Sequence, residues 1–396
     1  MKTLVLAVFV FSVLAACGGD STGTGPQAAS VTGVAGDSQS GPTGAALAFP
    51  LSLVALGSNG QPAQGVHVTW SVIPSGAASF TPATTTTDVN GVAATTATLG
   101  TFIGGINIHA AVPGVADVVY HATVVDPCTY LAPYTLGQTV NAFLSTTDCN
   151  RGNLGFYYDF HGLSLPTGQQ SIRISMHATF DSWLDFWSAA GPFVAFDDDS
   201  ILGQAQNAQI DMILPGGNYI IGASSYSRFT TGAYSLLAAT RPAAMNGCRQ
   251  VWVMRGVTVS DSITLSDCAD SSASPHYYDV ARIALYAGSV VSIAERSAAI
   301  NPSLALYKVV PESSYVRHLV ASNDDSSAGN PNAFIRFKVD TSNIYDVIIG
   351  TSAAGQTGAY TFSVDTTTTL NSRALAPGHA APEWWGGVGL PRRSKH

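Results

Sequence analysis

Short runs of alternating apolar and polar residues recur along this chain, and no window sustains an amphipathic helical period over three turns. Ser171-Ile-Arg-Ile-Ser-Met176, Asn207-Ala-Gln-Ile-Asp-Met212 and Ala359-Tyr-Thr-Phe-Ser-Val364 alternate along their length. That is the period of strands with one face buried. Pro166-Thr-Gly168, Pro215-Gly-Gly-Asn218 and Thr231-Gly232 punctuate them as turns. Upstream, Val66, Val68 and Trp70 alternate with His67 and Thr69, which predicts a half-buried strand with His67 facing out. Asn90-Gly91 signals a tight turn. The pattern predicts an all-β protein of consecutive antiparallel β-sandwiches.

Two stretches of the chain match each other at an offset of about 120 to 126 residues. Asp148-Cys149 falls on Asp267-Cys268, Tyr157-Tyr158-Asp159 on Tyr277-Tyr278-Asp279, and Asp181-Ser-Trp-Leu184 on Asn301-Pro-Ser-Leu304. Asp197-Asp198-Asp199 then falls on Asn323-Asp324-Asp325, Asn207-Ala208 on Asn332-Ala333, and Thr231-Gly-Ala-Tyr234 on Thr357-Gly-Ala-Tyr360. So many matches in one order mark a duplication, with copies at 128–240 and 248–366. Of five cysteines, Cys17 stands apart and four remain, which in an exported chain reads as two disulfides. Three pairings exist on paper. The repeat selects Cys128–Cys149 and Cys248–Cys268, each closing a loop worth roughly 3 kcal/mol in the loop-entropy account.

The alternation breaks at the start. Leu4 to Ala16 is continuously apolar but too short to span a bilayer, which takes about 20 residues. With Lys2 ahead of it, the run reads as a secretion signal over 1–16. Leu14-Ala15-Ala16-Cys17 resembles the lipobox of bacterial lipoproteins, which implies cleavage before Cys17 and acylation of that residue. Gly18 to Ser30 (GGDSTGTGPQAAS) is Gly/Ser/Thr-rich and reads as a flexible tether over 17–30. The same resemblance implies the outer membrane, since Gly18 stands after the cysteine in place of the Asp that favours inner-membrane retention in enterobacterial lipoproteins. The expected location is therefore the cell envelope, with the N-terminal lipid holding the chain to a membrane.

Residues 31–125 carry Gly60-Gln-Pro62, Gly65-Val-His-Val-Thr-Trp70 and Thr87-Asp-Val-Asn-Gly91. Together these resemble the bacterial immunoglobulin-like domain of invasin- and intimin-type adhesins, in which the domain commonly acts as a spacer. The first copy's YYDF, FDSWLDFW, FDDDS, LPGGNYIIGASS and TGAYSL resemble the pre-peptidase C-terminal (PPC) domain of secreted bacterial proteins. The second copy follows with YYDV, NPSLALY, NDDS, IYDVIIG and TGAYTF. This resemblance implies two jelly-roll-like sandwiches after the immunoglobulin-like one. The Gly/Pro-rich residues 371–396, with Trp384-Trp385, fit no domain and read as a disordered tail.

Composition narrows the function. Charged residues make up only 11% of the chain, and the net charge is −8 with no basic cluster, which speaks against a nucleic-acid partner. Serine-hydrolase, zinc-protease and phosphate-loop motifs are absent from the sequence. Catalysis is therefore not expected. Asp197, Asp198, Asp199, Asp324 and Asp325 form the best candidate metal site, for calcium, which takes about six to eight oxygens. The competing reading is ordinary turn chemistry, in which Asp and Asn bond their own backbone. Trp183, Asp185 and Trp187 share one face of an extended strand, where Trp183 and Trp187 could stack on a glycan or a protein. The alternative is that this face packs under a loop. The expected function is non-enzymatic adhesion or capture of a glycan or a surface or matrix protein. A scaffold or accessory subunit that holds a separate secreted enzyme is the alternative.

Overall fold

A computed structural model describes residues 27–150, 154–191, 193–198, 207–245, 250–310, 316–325 and 330–366. Every regular element among them is a β-strand. The expected signal segment 1–16, the expected lipidation site Cys17 and the tail 371–396 lie outside the described residues. The end of the expected tether is structured. Ala28 is buried, the Ala29 N–H donates to the Leu56 carbonyl at 2.8 Å, and Ser30 opens the first strand. The chain divides into two compact units, the first built from segments within Met1–Thr123 and the second mainly from Val124 onward.

Nine strands run to Val125: β1 (Ser30–Ala35), β2 (Gln39–Pro42), β3 (Leu51–Leu56), β4 (His67–Ile73), β5 (Ala78–Thr81), β6 (Thr84–Thr86), β7 (Val92–Leu99), β8 (Gly104–Ala111) and β9 (Val118–Val125). They form one sheet in the order β1-β3-β7-β5 and another in the order β2-β9-β8-β4-β6. In β4, Val68 and Trp70 point inward while His67 and Thr69 face out, as the alternation predicts. Tyr120 of β9 packs against Trp70 and donates its hydroxyl proton to the Ser52 carbonyl of β3 at 2.6 Å, so one buried phenol joins the two sheets. Burial pushes its pKa up to about 12, so it remains a donor at any ordinary pH. At Asn90-Gly91 the turn is closed by Asp88, whose Oδ1 accepts the N–H groups of Asn90 and Val92.

The first repeat contributes β10 (Ala132–Tyr134), β11 (Thr139–Leu144), β12 (Cys149–Asn150), β13 (Tyr157–Ala178), β14 (Ser182–Ser188), β15 (Phe193–Asp197), β16 (Gln209–Ser225) and β17 (Gly232–Thr240). The second contributes β18 (Val251–Val253), β19 (Thr258–Ile263), β20 (Cys268–Ala269), β21 (Tyr277–Leu285), β22 (Val290–Arg296), β23 (Pro302–Val310), β24 (Val316–Asn323), β25 (Ala333–Lys338), β26 (Asn343–Thr351) and β27 (Gly358–Thr366). Pairings recur copy for copy. β13 lies between β16 and β17, and correspondingly β22 lies between β25 and β27. In the first repeat β13 and β16 pass through the Pro166-Thr-Gly168 bulge as single long strands. In the second, the same path is cut into β21/β22 and β25/β26, leaving a separate β19-β27-β22-β25 sheet. Cys128 and Cys149 form a disulfide. Cys268 is also disulfide-bonded, and Cys248, its expected partner, lies outside the described residues.

The two repeats are not separate beads. β18 lies parallel to β16, with Met212 opposite Trp252 and Ile213 opposite Val253, and the Met254 N–H donates to the Ile213 carbonyl at 2.9 Å. Its other edge lies parallel to β21, with Val251 opposite Ala281 and Trp252 opposite Arg282. Three residues thus splice the copies into one 14-stranded sheet. The Trp252 indole is buried beside Phe193 and Phe196 of the first repeat, with ring centroids 6.4 and 5.9 Å away, and Arg282 lies 5.8 Å over it. Removing that ring leaves a cavity in a core both repeats share, a loss of about 3–5 kcal/mol. Trp252→Ala is expected to split a single calorimetric unfolding transition of the second unit into two. One unchanged transition would show that the repeats do not depend on this splice.

Candidate functional site

The strand carrying Trp183 and Trp187 is inside the protein. β14 is hydrogen-bonded on both edges, to β15 and to β16, and its side chains are buried on both faces. Trp183 is 3% exposed and stacks on Phe196 at 5.1 Å, while Trp187 is 7% exposed and meets Phe160 edge-on at 6.0 Å. Asp185 between them is buried too, and Phe186 on the opposite face stacks on Tyr219 at 5.1 Å. The expected solvent-facing Trp-Asp-Trp surface is therefore corrected to a packed one. Its aromatic continuation, Phe193 and Phe196, is what Trp252 covers.

The acidic clusters show backbone-binding roles. Asp197 Oδ2 accepts the Gln209 N–H at 2.7 Å, and Asn323 Oδ1 accepts the N–H of Phe334, the repeat-equivalent residue, at 2.9 Å. Asp324 Oδ1 accepts the Asp325 N–H at 3.0 Å, while the Asn323 side-chain amide donates to the Asp325 carbonyl. A neutral Asn serving where the other copy has Asp fits an acceptor for one peptide N–H better than a charge set for a cation. Among the described residues no group of three or more His, Cys, Asp or Glu side chains is placed to hold a metal ion; Asp199 lies outside them.

Titratable groups cluster in the cores instead. The Tyr234 hydroxyl donates to Asp159 Oδ2 at 2.6 Å and lies 3.2 Å from His161 Nε2. Burial, with the neighbouring Asp148 charge, pushes Asp159 upward, and burial pulls buried His161 down to about 4. The second copy keeps the pair, Tyr360 to Asp279 at 2.8 Å, but has Ala281 in place of His161. The Tyr–Asp bond is thus a tie between layers common to both repeats. Glu295 is fully buried where the first repeat has Met176, as the opposing residues Phe362 and Leu236 show. Burial pushes its carboxyl up to about 9, opposed by the backbone N–H groups of Gly350 and Ser303 and reinforced by the Asp279 charge.

The site that sequence reasoning missed is a turn. Phe229 is held at φ +57°, in the left-handed region, at the position where the second repeat has Gly355 at φ +72°. The turns are equivalent: the Phe229 N–H donates to the Gly155 carbonyl and the Gly355 N–H to the Pro275 carbonyl. A bulky side chain there costs about 1–2 kcal/mol that glycine avoids. The ring nonetheless stands 71% exposed, one edge resting on Gly155, where any Cβ would meet it at 2.6 Å. Leu154, 54% exposed, sits beside Gly155, and Arg228 lies 5.3 Å over the Phe156 ring on the same turn. The signal was available: aligning SSYSRF with GTSAAG sets Phe229 against a glycine.

No family model matches this chain, and the search of curated proteins found no match. Several solved structures are similar in part. One is the pre-peptidase C-terminal domain of a collagenase from Bacillus anthracis, at 13% identity over 28% of this chain and 94% of that one, with a TM-score of 0.23. Another is the D0–D1 region of intimin, at 11% identity over 54% of this chain and 95% of that one, TM-score 0.21. Invasin, described as a bacterial integrin-binding protein, is 12% identical over 85% of this chain and 56% of its own, TM-score 0.20. At such scores these likenesses reach no further than the all-β kind of fold.

Glu295 makes a pH dependence. Its folded pKa is raised, so its contribution to stability is full below about 4.5 and is lost as pH rises through about 9. At pH 7 the loss is about 3 kcal/mol. Glu295→Met is expected to raise the denaturation midpoint of the second unit at pH 8, with the gain shrinking toward pH 4. A gain independent of pH would mean that the carboxyl does not titrate in this range.

Proposed function

We propose that this chain is a non-enzymatic, lipid-anchored surface protein that captures a glycan through the turn bearing Phe229. The observation that supports it is the exposed Phe229 ring, kept in a strained backbone conformation that the sister repeat relieves with glycine. Strain concentrates where function requires it. An aromatic face beside an apolar Leu154 and a cationic Arg228 offers a stacking surface for a sugar ring, with a hydrogen-bonding fork for its hydroxyl or carboxylate groups. The fused repeats below it supply a rigid base.

Phe229→Gly separates binding from folding, because glycine is the residue the equivalent turn already uses. Retention on an immobilised glycan array is expected to fall about thirtyfold or more, the loss of a hot-spot aromatic at roughly 2 kcal/mol. The melting temperature should stay level or rise, since relief of about 1 kcal/mol of backbone strain offsets the entropy of glycine. Equal retention by both proteins would remove this turn as the contact site. The membrane attachment has its own check: Cys17→Ser should abolish incorporation of an alkyne-labelled fatty acid and release the chain from the membrane fraction. Labelling that survives the change would place the lipid elsewhere.

A further inference from the structure

Among the described residues the splice between the repeats has a counterpart edge that no strand pairs with. In the first repeat, Met212 and Ile213 of β16 receive β18, and the Ile213 carbonyl takes the Met254 N–H. The equivalent residues of the second repeat are Phe337 and Lys338 of β25, as the matching partners Ile172 and Val291 show. β25 pairs with β22 on one edge, and among the described residues no strand pairs with its other edge. Lys338, by equivalence with Ile213, turns its backbone N–H and C=O toward that open edge, as does Arg336 two residues earlier. Part of the apolar surface that Trp252 covers in the first repeat is bare here. Leu319, equivalent to the buried Phe193, is 55% exposed, and Val320 and Phe334 are exposed with it.

We propose that the segment of this same chain around Trp384-Trp385 lies along the open edge of β25, repeating what β18 does for β16. Three observations select it. The chain leaves β27 at Thr366 from the place, relative to β25, that Thr240 holds relative to β16, since Thr366 and Thr240 face Val291 and Ile172. Ten residues, 241–250, suffice to carry the chain from β17 to β18, and seventeen, 367–383, precede Trp384. The segment also supplies what the edge asks for: indoles to cover Leu319 and Phe337, and Glu383 to face Arg336 and Lys338. A second copy of the chain is the poorer occupant. Its corresponding strand is β10, where Pro133 occupies the register position of Trp252. Proline has no N–H to give to the ladder, and by the alternation that aims the Met254 N–H at β16, that is the donor position facing the edge.

The test compares the full chain, the chain ended after Thr366, and the Trp384→Ala/Trp385→Ala double variant. Amide hydrogen exchange at Arg336 and Lys338 is the readout, with sedimentation to report association. The full chain should exchange at these two amides at least about tenfold more slowly than either altered form, independent of protein concentration. Equal exchange in all three would overturn the proposal. Protection that persists without the segment and grows with concentration would also overturn it, by making a second copy the occupant.

Discussion

The second unit depends on one tryptophan. Trp252 is the middle residue of a three-residue strand, too short to be stable alone, and it holds its place by being wanted on both sides. On one side the backbone of β16 completes a parallel ladder with it, and Phe193 and Phe196 enclose its ring. On the other, Arg282 lies over the indole while its guanidinium forks onto Asp346 at 2.8 and 3.1 Å. Arg317 meets the same carboxylate at 2.9 Å, so the buried Asp346 is shared by two cations, one of which also lies over the ring. Tyr286 adds a hydrogen bond across the junction, from its hydroxyl to the Phe193 carbonyl. Docking of this kind differs from the polar contact usual between neighbouring domains, because the sheet is continuous and each core takes in residues of the other repeat.

That continuity explains why the aromatic face of β14 is packed and does not meet solvent. Alternation along a strand reports which residues share a face, and it did so correctly here: Trp183 and Trp187 fall on one side, Phe186 on the other. It does not report whether that side meets water or protein. A strand buried on both faces carries apolar residues throughout, and from Trp183 to Trp187 this one does, with Asp185 as the single polar break. The contrast between copies held the missing information. Ser303, Tyr307, Leu319 and Ser322 stand where the first repeat has Trp183, Trp187, Phe193 and Phe196, and it is Phe193 and Phe196 that receive Trp252 of the other copy. Aromatic enrichment in one copy alone marked the side that is covered, not the side that binds.

Other parts were legible for physical reasons that sequence preserves. The duplication could be read because each matched residue performs a task the fold repeats. Tyr234 and Tyr360 tie layers through Asp159 and Asp279; Asp148 and Asp267 accept the backbone N–H groups of Ser145 and Thr264 beside the bonded cysteines. Phe229 was illegible to strand and motif reasoning because its meaning lies in φ, which a single residue name does not carry. Only a glycine in the sister turn exposes it. Glu295 was hidden for a similar reason, since an exposed-looking A-E-R at the end of a strand reads as surface until Met176 is set beside it.

The copies have thus diverged along lines their neighbours dictate. A sheet edge is a template for any strand that can reach it, and each unspliced end meets that hazard differently. At β10 the solution is covalent: Pro133 deletes the donor that an incoming strand would use, and no contact with another part of the chain is needed. At β25 the Phe334 N–H is taken by Asn323 Oδ1, while Arg336 and Lys338 present their backbone groups to the edge and guard it with their charge. Charge repels a second copy of the same edge, because like charges would face each other across the ladder, yet it invites a strand carrying the opposite sign. The first edge is closed to every strand, the second only to its own kind. A repeat pair built this way stops growing at one end by chemistry and at the other by selectivity, which leaves the second edge able to accept a chosen partner.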